Sequence, residues 1–470
     1  MDVLVSESGA MLDVAEPFFA VLGLVMRETL LFAAFGFLLL GVSDLAVDAI
    51  WIGRMAGRRL RRGAMLRADS LPEARSPGLI AVFVPAWDES AVIGDMLRHA
   101  LATFCEGDYL IFVGAYPNDP ATIAAVRAVD DPRIRLIVGR VPGGTTKADC
   151  LNSLWLGLLE EERRIGRQAK AVVLHDAEDV VHSAELRIFD RLVEEYDLIQ
   201  LPVLPLVEDA SWVAATYADE FAESHGKELV VRQALGASIP SAGVGCAFSR
   251  AGLQMMAAKN GGLPFEADSL TEDYELGLKL HAYGAKAAFV RLRACKGGAV
   301  VATKEYFPGS VQAAVNQKAR WMTGIALSGW DRLGWSGGFA ERWMRLRDRQ
   351  SVLAAVLLCA AYLTLLLWGV LQARALVTGV PLPEVSRWLQ LLLNVNFAML
   401  GWRLLVRFAF VTQAYGLGQG LRSVPRVLVS NLISMWAAQR AVFRYLAIRR
   451  SGATVWDKTA HRFPIQVPAE

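Results

Sequence analysis

The stretch "AVVLHDAEDVV", residues 171–181, decides how the fold is read. Ala171 to Leu174 is an apolar run of strand length that ends at His175. Asp176, Glu178 and Asp179 crowd together where that strand should stop. Like charges so close repel one another unless something positive sits among them. Two arrangements meet that need. A strand end carrying Asp-x-Glu/Asp suits a divalent cation bridging two phosphates. The same acids also suit the N-cap and first turn of a helix. On the residues alone, both stay open.

Working outward, three more short apolar runs precede it: "LIAVFVP" (79–85), "YLIFVGA" (109–115) and "IRLIVG" (134–139). Helical patterns separate them, such as "SAVIGDMLRHALATF" and "TKADCLNSLWLGLLEEERR". Continuous apolar strands alternating with helices predict an α/β domain over 79–304, with a mostly parallel, doubly wound sheet covered on both faces. Ligands in such sheets bind beyond the carboxyl ends of the strands, where the three acids fall.

The 470 residues are 54% hydrophobic and 20% charged, with a mean hydropathy of +0.33. A soluble domain joined to a few membrane helices fits that balance. A net charge of +2 gives no ground for nucleic-acid binding. The five cysteines are scattered without CxxC spacing, so they read as reduced thiols of a cytoplasmic domain.

No basic n-region of a signal peptide is present: Asp2, Glu7, Asp13 and Glu16 make the start acidic. Residues 1–52 read as a periplasmic start and a first membrane helix, Thr29 to Ile52, and 53–78 as a basic linker. Arg54 to Arg67 set its inner end in the cytoplasm. Asp44 and Asp48 are expected to meet those arginines at the interface. Residues 305–350 read as interfacial helices, with Arg342, Trp343, Arg345, Arg347 and Arg349 on the inner leaflet. Residues 351–412 hold two more membrane-length segments. Within 413–470, the helix at 424–448 carries Arg426, Arg440 and Arg444, so it is expected to lie along the membrane and leave the tail in the cytoplasm.

Five motifs carry chemistry: "VPAWDE" (84–89), "KADCLN" (147–152), "DAED" (176–179), "TED" (271–273) and "QKARW" (317–321). Each alone has a plain structural explanation. Thr271 can cap a helix begun by Glu272 and Asp273; Gln317, Arg320 and Trp321 can share one face of an interfacial helix. In this order and spacing they resemble the signature of membrane-bound family 2 glycosyltransferases, the group of cellulose, chitin and hyaluronan synthases. "VGAYPNDP", "HDAEDVVH", "GVGCAFSR", "LTEDYELGLKLH" and "VWDKTAHRFP" are similar to a narrower set of inner-membrane members. Those are linked to exopolysaccharide made with an outer-membrane secretion partner. Such members often carry a C-terminal domain sensing cyclic di-GMP; no segment of this sequence reads as one.

The resemblance implies a GT-A fold and inverting transfer of a sugar, a hexosamine, from a UDP-sugar onto a growing exopolysaccharide or a lipid-linked acceptor. It implies a multi-pass protein of the bacterial inner membrane, in contact with its lipids, with the catalytic domain in the cytoplasm. Mg²⁺ or Mn²⁺ would be held by Asp176 and Glu178, with Asp179 as an extra carboxylate. Asp273 would be the general base, with Glu272 beside it and also facing the acceptor. Arg320 and Gln317 would steady the donor pyrophosphate, and Trp321 would stack on the acceptor sugar. Glu89 and Lys147 would contact the nucleobase and ribose edge. Many members place an Asp-Asp pair after the second strand; here Tyr116, Asn118 or Asp119 must do that work. His175 and His182 are expected to be satisfied structurally. Two competing functions are a processive synthase that threads its polymer through its own membrane channel, and a non-catalytic membrane receptor or scaffold used in phage adsorption.

Overall fold

The computed structural model describes residues 2–60, 67–382, 384–451 and 461–464, with side chains from Glu16 onward. The strands are β1 (Ile80–Pro85), β2 (Tyr109–Ala115), β3 (Ile134–Val138), β4 (Ala171–Leu174), β5 (Leu198–Gln200), β6 (Val203–Pro205), β7 (Cys246–Ser249), β8 (Ala287–Phe289) and β9 (Thr303–Glu305). Among the described residues they form a seven-stranded sheet, β3-β2-β1-β4-β7-β5-β8, and a small sheet, β6-β9. Only β7 in the large sheet runs antiparallel to its neighbours. In register, Ile80 faces Tyr109 on one side and Ala171 on the other.

Helices cover both faces, which is why β1 and β4 are apolar without alternation. Val82, Val84 and Val173 pack on one side with Ile93, Met96 and Phe189. Phe83, Phe112 and Val172 pack on the other with Trp155, Leu253 and Leu276. Each such side chain, fully buried, contributes about 1.5–3 kcal/mol. The helix Lys147–Ile165 starts behind Thr146, whose hydroxyl accepts from the Asp149 N–H, and stops at Gly166, left-handed at φ +71°. That start sets Lys147 at the carboxyl edge of the sheet.

Three helices among the described residues are long and apolar enough to cross a membrane: Glu16–Leu60, Ser351–Thr378 and Arg387–Tyr415. The first is part of a continuous helix, Asp2–Leu60, longer at both ends than 29–52. The expected partners of its acids are corrected. Asp44 pairs with Arg347 at 2.9 Å and Arg403 at 3.4 Å. Asp48 pairs with Lys227 and accepts from the Trp402 indole at 2.7 Å. Arg61 and Arg62 of the linker lie outside the described residues. Three arginines of the helix Phe339–Arg349 also turn inward, while Arg342 stays exposed: Arg345 bonds Glu341 at 2.7 Å, Arg347 bonds Asp44, and Arg349 lies over the Trp335 ring at 4.5 Å. An unpaired buried guanidinium is costly, so internal acids hold Arg345 and Arg347, while Arg349 donates to the Gly329 carbonyl at 3.1 Å.

The helix Leu417–Ser451 has 35 residues, about 52 Å of rise. Both of its ends are tied to elements outside the three membrane-length helices. Arg422 pairs with Asp209 at 2.8 Å and Arg426 with Asp219 at 2.6 Å near its start. Near its end, Tyr445 and Arg449 reach Asp331 at 2.6 and 3.2 Å.

Candidate active site

A cavity of about 590 Å³ opens at the carboxyl edge of β1 and β4. From the donor motifs it is lined by Glu89, Lys147, Asp176 and Glu178; from "TED" and "QKARW" it is lined by Glu272, Asp273, Gln317, Arg320 and Trp321. Trp87, Glu305 and His461, to which the sequence reading gave no role, line it too.

The three acids behind β4 cap no helix. The next helix, Glu185–Leu192, begins behind Ala184, which makes no side-chain cap bond. Each acid instead has its own cation, drawn from a different part of the chain. Asp176 pairs with Lys147 at 2.5 Å. Glu178 lies 3.3 Å from His461 Nδ1. Asp179 accepts from His175 Nδ1 at 2.8 Å and from the Asp176 N–H at 3.1 Å. Burial pulls Lys147 down, but Asp176, Glu272 and Asp273 outweigh it and hold the ammonium above its ordinary range. Burial also opposes the His175 charge, and Glu185 and Asp179 overcome it, raising its pKa to about 10.

Asp179, expected as an extra metal ligand, is fully buried against His175 and does not line the cavity. Its carboxylate is spent on the turn that presents Asp176 and Glu178. His175 also reaches Glu185 at 3.0 Å, so the turn is anchored by a buried acid–imidazole–acid chain. Asp179→Ala leaves His175 with Glu185 as its one acid and strips the acceptor from the Asp176 N–H, so it should cost roughly 1–3 kcal/mol of stability. Thermal melting of the purified chain checks this; an unchanged midpoint would mean that the turn stands without the chain of charges.

Glu89, Glu178 and His461 bring their ligand atoms within 4.8 Å of one another, a grouping that fits a divalent cation. His461 Nδ1 lies 2.8 Å from Glu89. Two carboxylates and one imidazole make an oxygen-rich set that suits Mn²⁺ or Mg²⁺. Burial raises Glu178 well above the usual carboxylate range and His461 pulls it back, which is the electrostatic situation of a site short of positive charge. Asp176 stands beside this group, bound to Lys147, rather than within it.

The stretch after β2 serves a different purpose from the one expected. Asp119 caps the helix Pro120–Arg127 by accepting from Thr122 N, and also accepts from the Asp88 N–H at 2.6 Å. Asp88 is left-handed at φ +53°, and the next residue, Glu89, donates its N–H to Thr122 Oγ1 at 2.9 Å. Asp119 thus shapes the turn that aims Glu89. Asn118 brackets Gly143, and Tyr116 donates to Thr146 O at 3.2 Å. None of Tyr116, Asn118 and Asp119 lines the cavity. The ring that does is Trp87, set edge-on to Tyr116 with centroids 4.9 Å apart.

Glu272 and Asp273 begin the helix Glu272–Ala282. Thr271 holds the N-cap position, but its hydroxyl makes no cap bond. Asp273 rests against Gly243, where an added Cβ would lie 2.3 Å from its Oδ2. Burial and then Asp273 push Glu272 up to about 7. Burial also raises Asp273, against the nearby Lys147. An acid poised above its usual range beside two cations can accept a proton near neutral pH. Trp321 sits in an aromatic group with Tyr217, Phe221 and Phe307. His182 is buried, its Nδ1 accepting from Ala184 N at 3.1 Å.

Over 453 aligned residues the chain is 37% identical to bacteriophage adsorption protein B of Escherichia coli (strain K12), and equally so to bacteriophage N4 adsorption protein B of Escherichia coli O157:H7. These alignments cover 90% of this chain and 60% of each relative, so the chain spans less than two thirds of their length. Among solved structures, the mannosyltransferase PcManGT from Pyrobaculum calidifontis, in complex with GDP-Man and Mn²⁺, aligns with a TM-score of 0.49 at 15% identity, over 87% of this chain and 99% of its own. Glucosyl-3-phosphoglycerate synthase from Mycobacterium tuberculosis aligns with a TM-score of 0.34 at 18% identity, over 56% and 82%. Residues 77–324, the span that carries the sheet, the three-acid turn and the "QKARW" helix, match the family described as Glycosyltransferase like family 2, and the chain belongs to it.

Proposed function

We propose that the chain is an inverting, metal-dependent transferase that moves a sugar, a hexosamine, from a UDP-sugar onto a growing exopolysaccharide or lipid-linked acceptor at the inner face of the bacterial inner membrane. An outer-membrane secretion partner would receive the product. One observation carries this reading: the Glu89–Glu178–His461 group and the Glu272–Asp273 pair share one cavity with Lys147 and Arg320.

Glu89, Glu178 and His461 would hold Mg²⁺ or Mn²⁺, which supplies positive charge to the departing diphosphate. Lys147 and Arg320 add fixed cations to the same end, and Asp176 keeps Lys147 in place. Trp87 offers a ring face to the nucleobase. The acceptor hydroxyl lies against Trp321, and its oxygen attacks the anomeric carbon from the side opposite the leaving diphosphate. Its proton passes to Asp273, while Glu272 shapes the charge around that base. The C–O bond to the diphosphate breaks as the new glycosidic bond forms. A panel of UDP- and GDP-sugars, scored for nucleotide diphosphate release with Mg²⁺ or Mn²⁺, tests the reading. Release from none of them sinks it.

The topology that this requires places residues 79–330 in the cytoplasm, where nucleotide sugars are made. Support comes from the helix Leu417–Ser451, held at both ends by acids outside the three membrane-length helices. It also leaves Leu421, Val424, Leu428, Leu432, Trp436 and Phe443 exposed along one face. A helix tethered in this way lies along the inner leaflet. Single engineered cysteines at Pro381, Asn260 and Ser451 read this out in intact cells. Labelling from outside is expected at Pro381 alone; labelling at Asn260 defeats the reading, and labelling at Ser451 makes the last helix a span.

A further inference from the structure

A second wall of the cavity runs along one continuous helical face. Phe221, Ser224, His225, Glu228, Leu229 and Arg232 line it at spacings of three and four residues. The middle of that wall, Ser224–Glu228, is a π-helical turn, a widening of the helix found often at functional sites. His225 is 7% exposed. Its Nδ1 accepts the Val203 N–H at 2.8 Å, so in the neutral ring the proton must sit on Nε2. Burial, and then the charge of Arg291, push its pKa down to about 3, so the ring is neutral. Among the described residues Nε2 has no hydrogen-bond partner and is not sealed from solvent, and the His225 side chain lines the cavity.

The surroundings indicate what this donor meets. Phe221 lies 5.1 Å from the imidazole, Phe307 lies 5.2 Å from Phe221, and Trp321 lies 6.4 Å from both phenyl rings. The ionised groups further along the wall are already matched. Arg232 holds both oxygens of Asp348 at 2.8 Å, and Glu228 pairs with Arg347 at 3.2 Å. An anionic ligand finds no uncommitted cation on this wall. A ring with apolar C–H faces and neutral hydroxyls finds aromatic faces and one N–H with a fixed direction.

We propose that His225 donates a hydrogen bond from Nε2 to a hydroxyl of the acceptor, in a subsite walled by Phe221, Phe307 and Trp321 that takes an uncharged pyranose. This rests on the transferase reading above. His225 is then a binding residue that sets how the acceptor meets the donor, and it plays no part in the proton transfer itself.

Two substitutions separate this role from a structural one. His225→Asn keeps an oxygen where Nδ1 accepts from Val203 but cannot reach into the cavity. His225→Gln keeps an N–H near the Nε2 position but gives up the Val203 contact. Membranes carrying the full chain are given the UDP-sugar found active in the donor panel. Label entering the endogenous acceptor is compared with free sugar released by hydrolysis. His225→Asn should lower the transfer-to-hydrolysis ratio by about 10-fold, the scale of one lost hydrogen bond, with UDP·Mn²⁺ affinity unchanged. His225→Gln should stay within about twofold of the wild type on the same scale. A wild-type ratio in His225→Asn overturns the proposal. So does the reverse order, with His225→Gln impaired in both reactions and in thermal stability while His225→Asn is intact. Wild-type membranes that turn over no nucleotide sugar overturn the transferase reading itself, and this inference with it.

Discussion

Asp273→Asn should bind UDP with wild-type affinity and lose turnover by roughly 10²-fold or more, the scale of a missing general base. The substitution keeps the shape of the side chain, so the contact with Gly243 and the helix start at Glu272 survive. What is lost is the capacity to take the acceptor proton. The pH profile makes the test sharper. Burial raises both Glu272 and Asp273, and Glu272 stands at about 7. Carboxylates with raised pKa lose activity as pH falls through that raised value, so wild-type turnover should drop on the acid side earlier than an ordinary carboxylate dictates. That limb should vanish with the residual activity of Asp273→Asn. Near-normal turnover in the variant would remove Asp273 from the mechanism and leave Glu272 as the base.

His461→Ala and Glu178→Ala should each abolish most of the difference that Mn²⁺ makes to UDP affinity. Each removes a donor atom from the group formed with Glu89. Losses of at least 10–100-fold in metal-dependent affinity are expected, since removal of even outer-shell partners costs about that much. Calorimetric titration of UDP with and without Mn²⁺ reads this directly, and a thermal melt shows that the fold persists. His461→Ala is the cleaner of the two, because Phe463 still packs into the core beside His99. If Mn²⁺ leaves UDP affinity of the wild type unchanged, the group is a structural ion cluster. If Asp176→Ala and Glu178→Ala lose the Mn²⁺ effect while His461→Ala keeps it, the ligands are those first read from the strand end.

The sheet was legible wherever a strand is buried on both faces and long enough to be an unbroken apolar run. β1, β2, β3 and β4 fall within one residue of the runs at 79–85, 109–115, 134–139 and 171–174. β5 and β8 are three residues each, too short to carry a pattern, and β7 is hidden in "GVGCAFSR". The acids of the site were legible because each motif is contiguous and sits at a strand end or a helix start. Their partners were not. His461 meets Glu89 across 372 residues, and no local periodicity records such a contact. Asp119 misled for a simpler reason. An acid after a strand looks alike whether it faces a ligand or caps a helix, but the Pro120 that follows it is a helix-start signal that favoured the cap. Asp44 and Asp48 were paired with nearby arginines by sequence proximity, whereas the fold offers Arg347, Arg403 and Lys227 from other elements.

His461 has a bearing on how the protein is made. The ribosome delivers this imidazole after every strand and membrane helix described above. A nascent chain with its sheet folded and its membrane helices inserted still lacks the third member of the group at Glu89 and Glu178. On the proposed reading, such a chain binds donor poorly and consumes none of the cell's nucleotide sugar. On that reading, donor binding is completed only when His461 reaches Glu89 and Glu178, after the strands and membrane-length helices described above have been made.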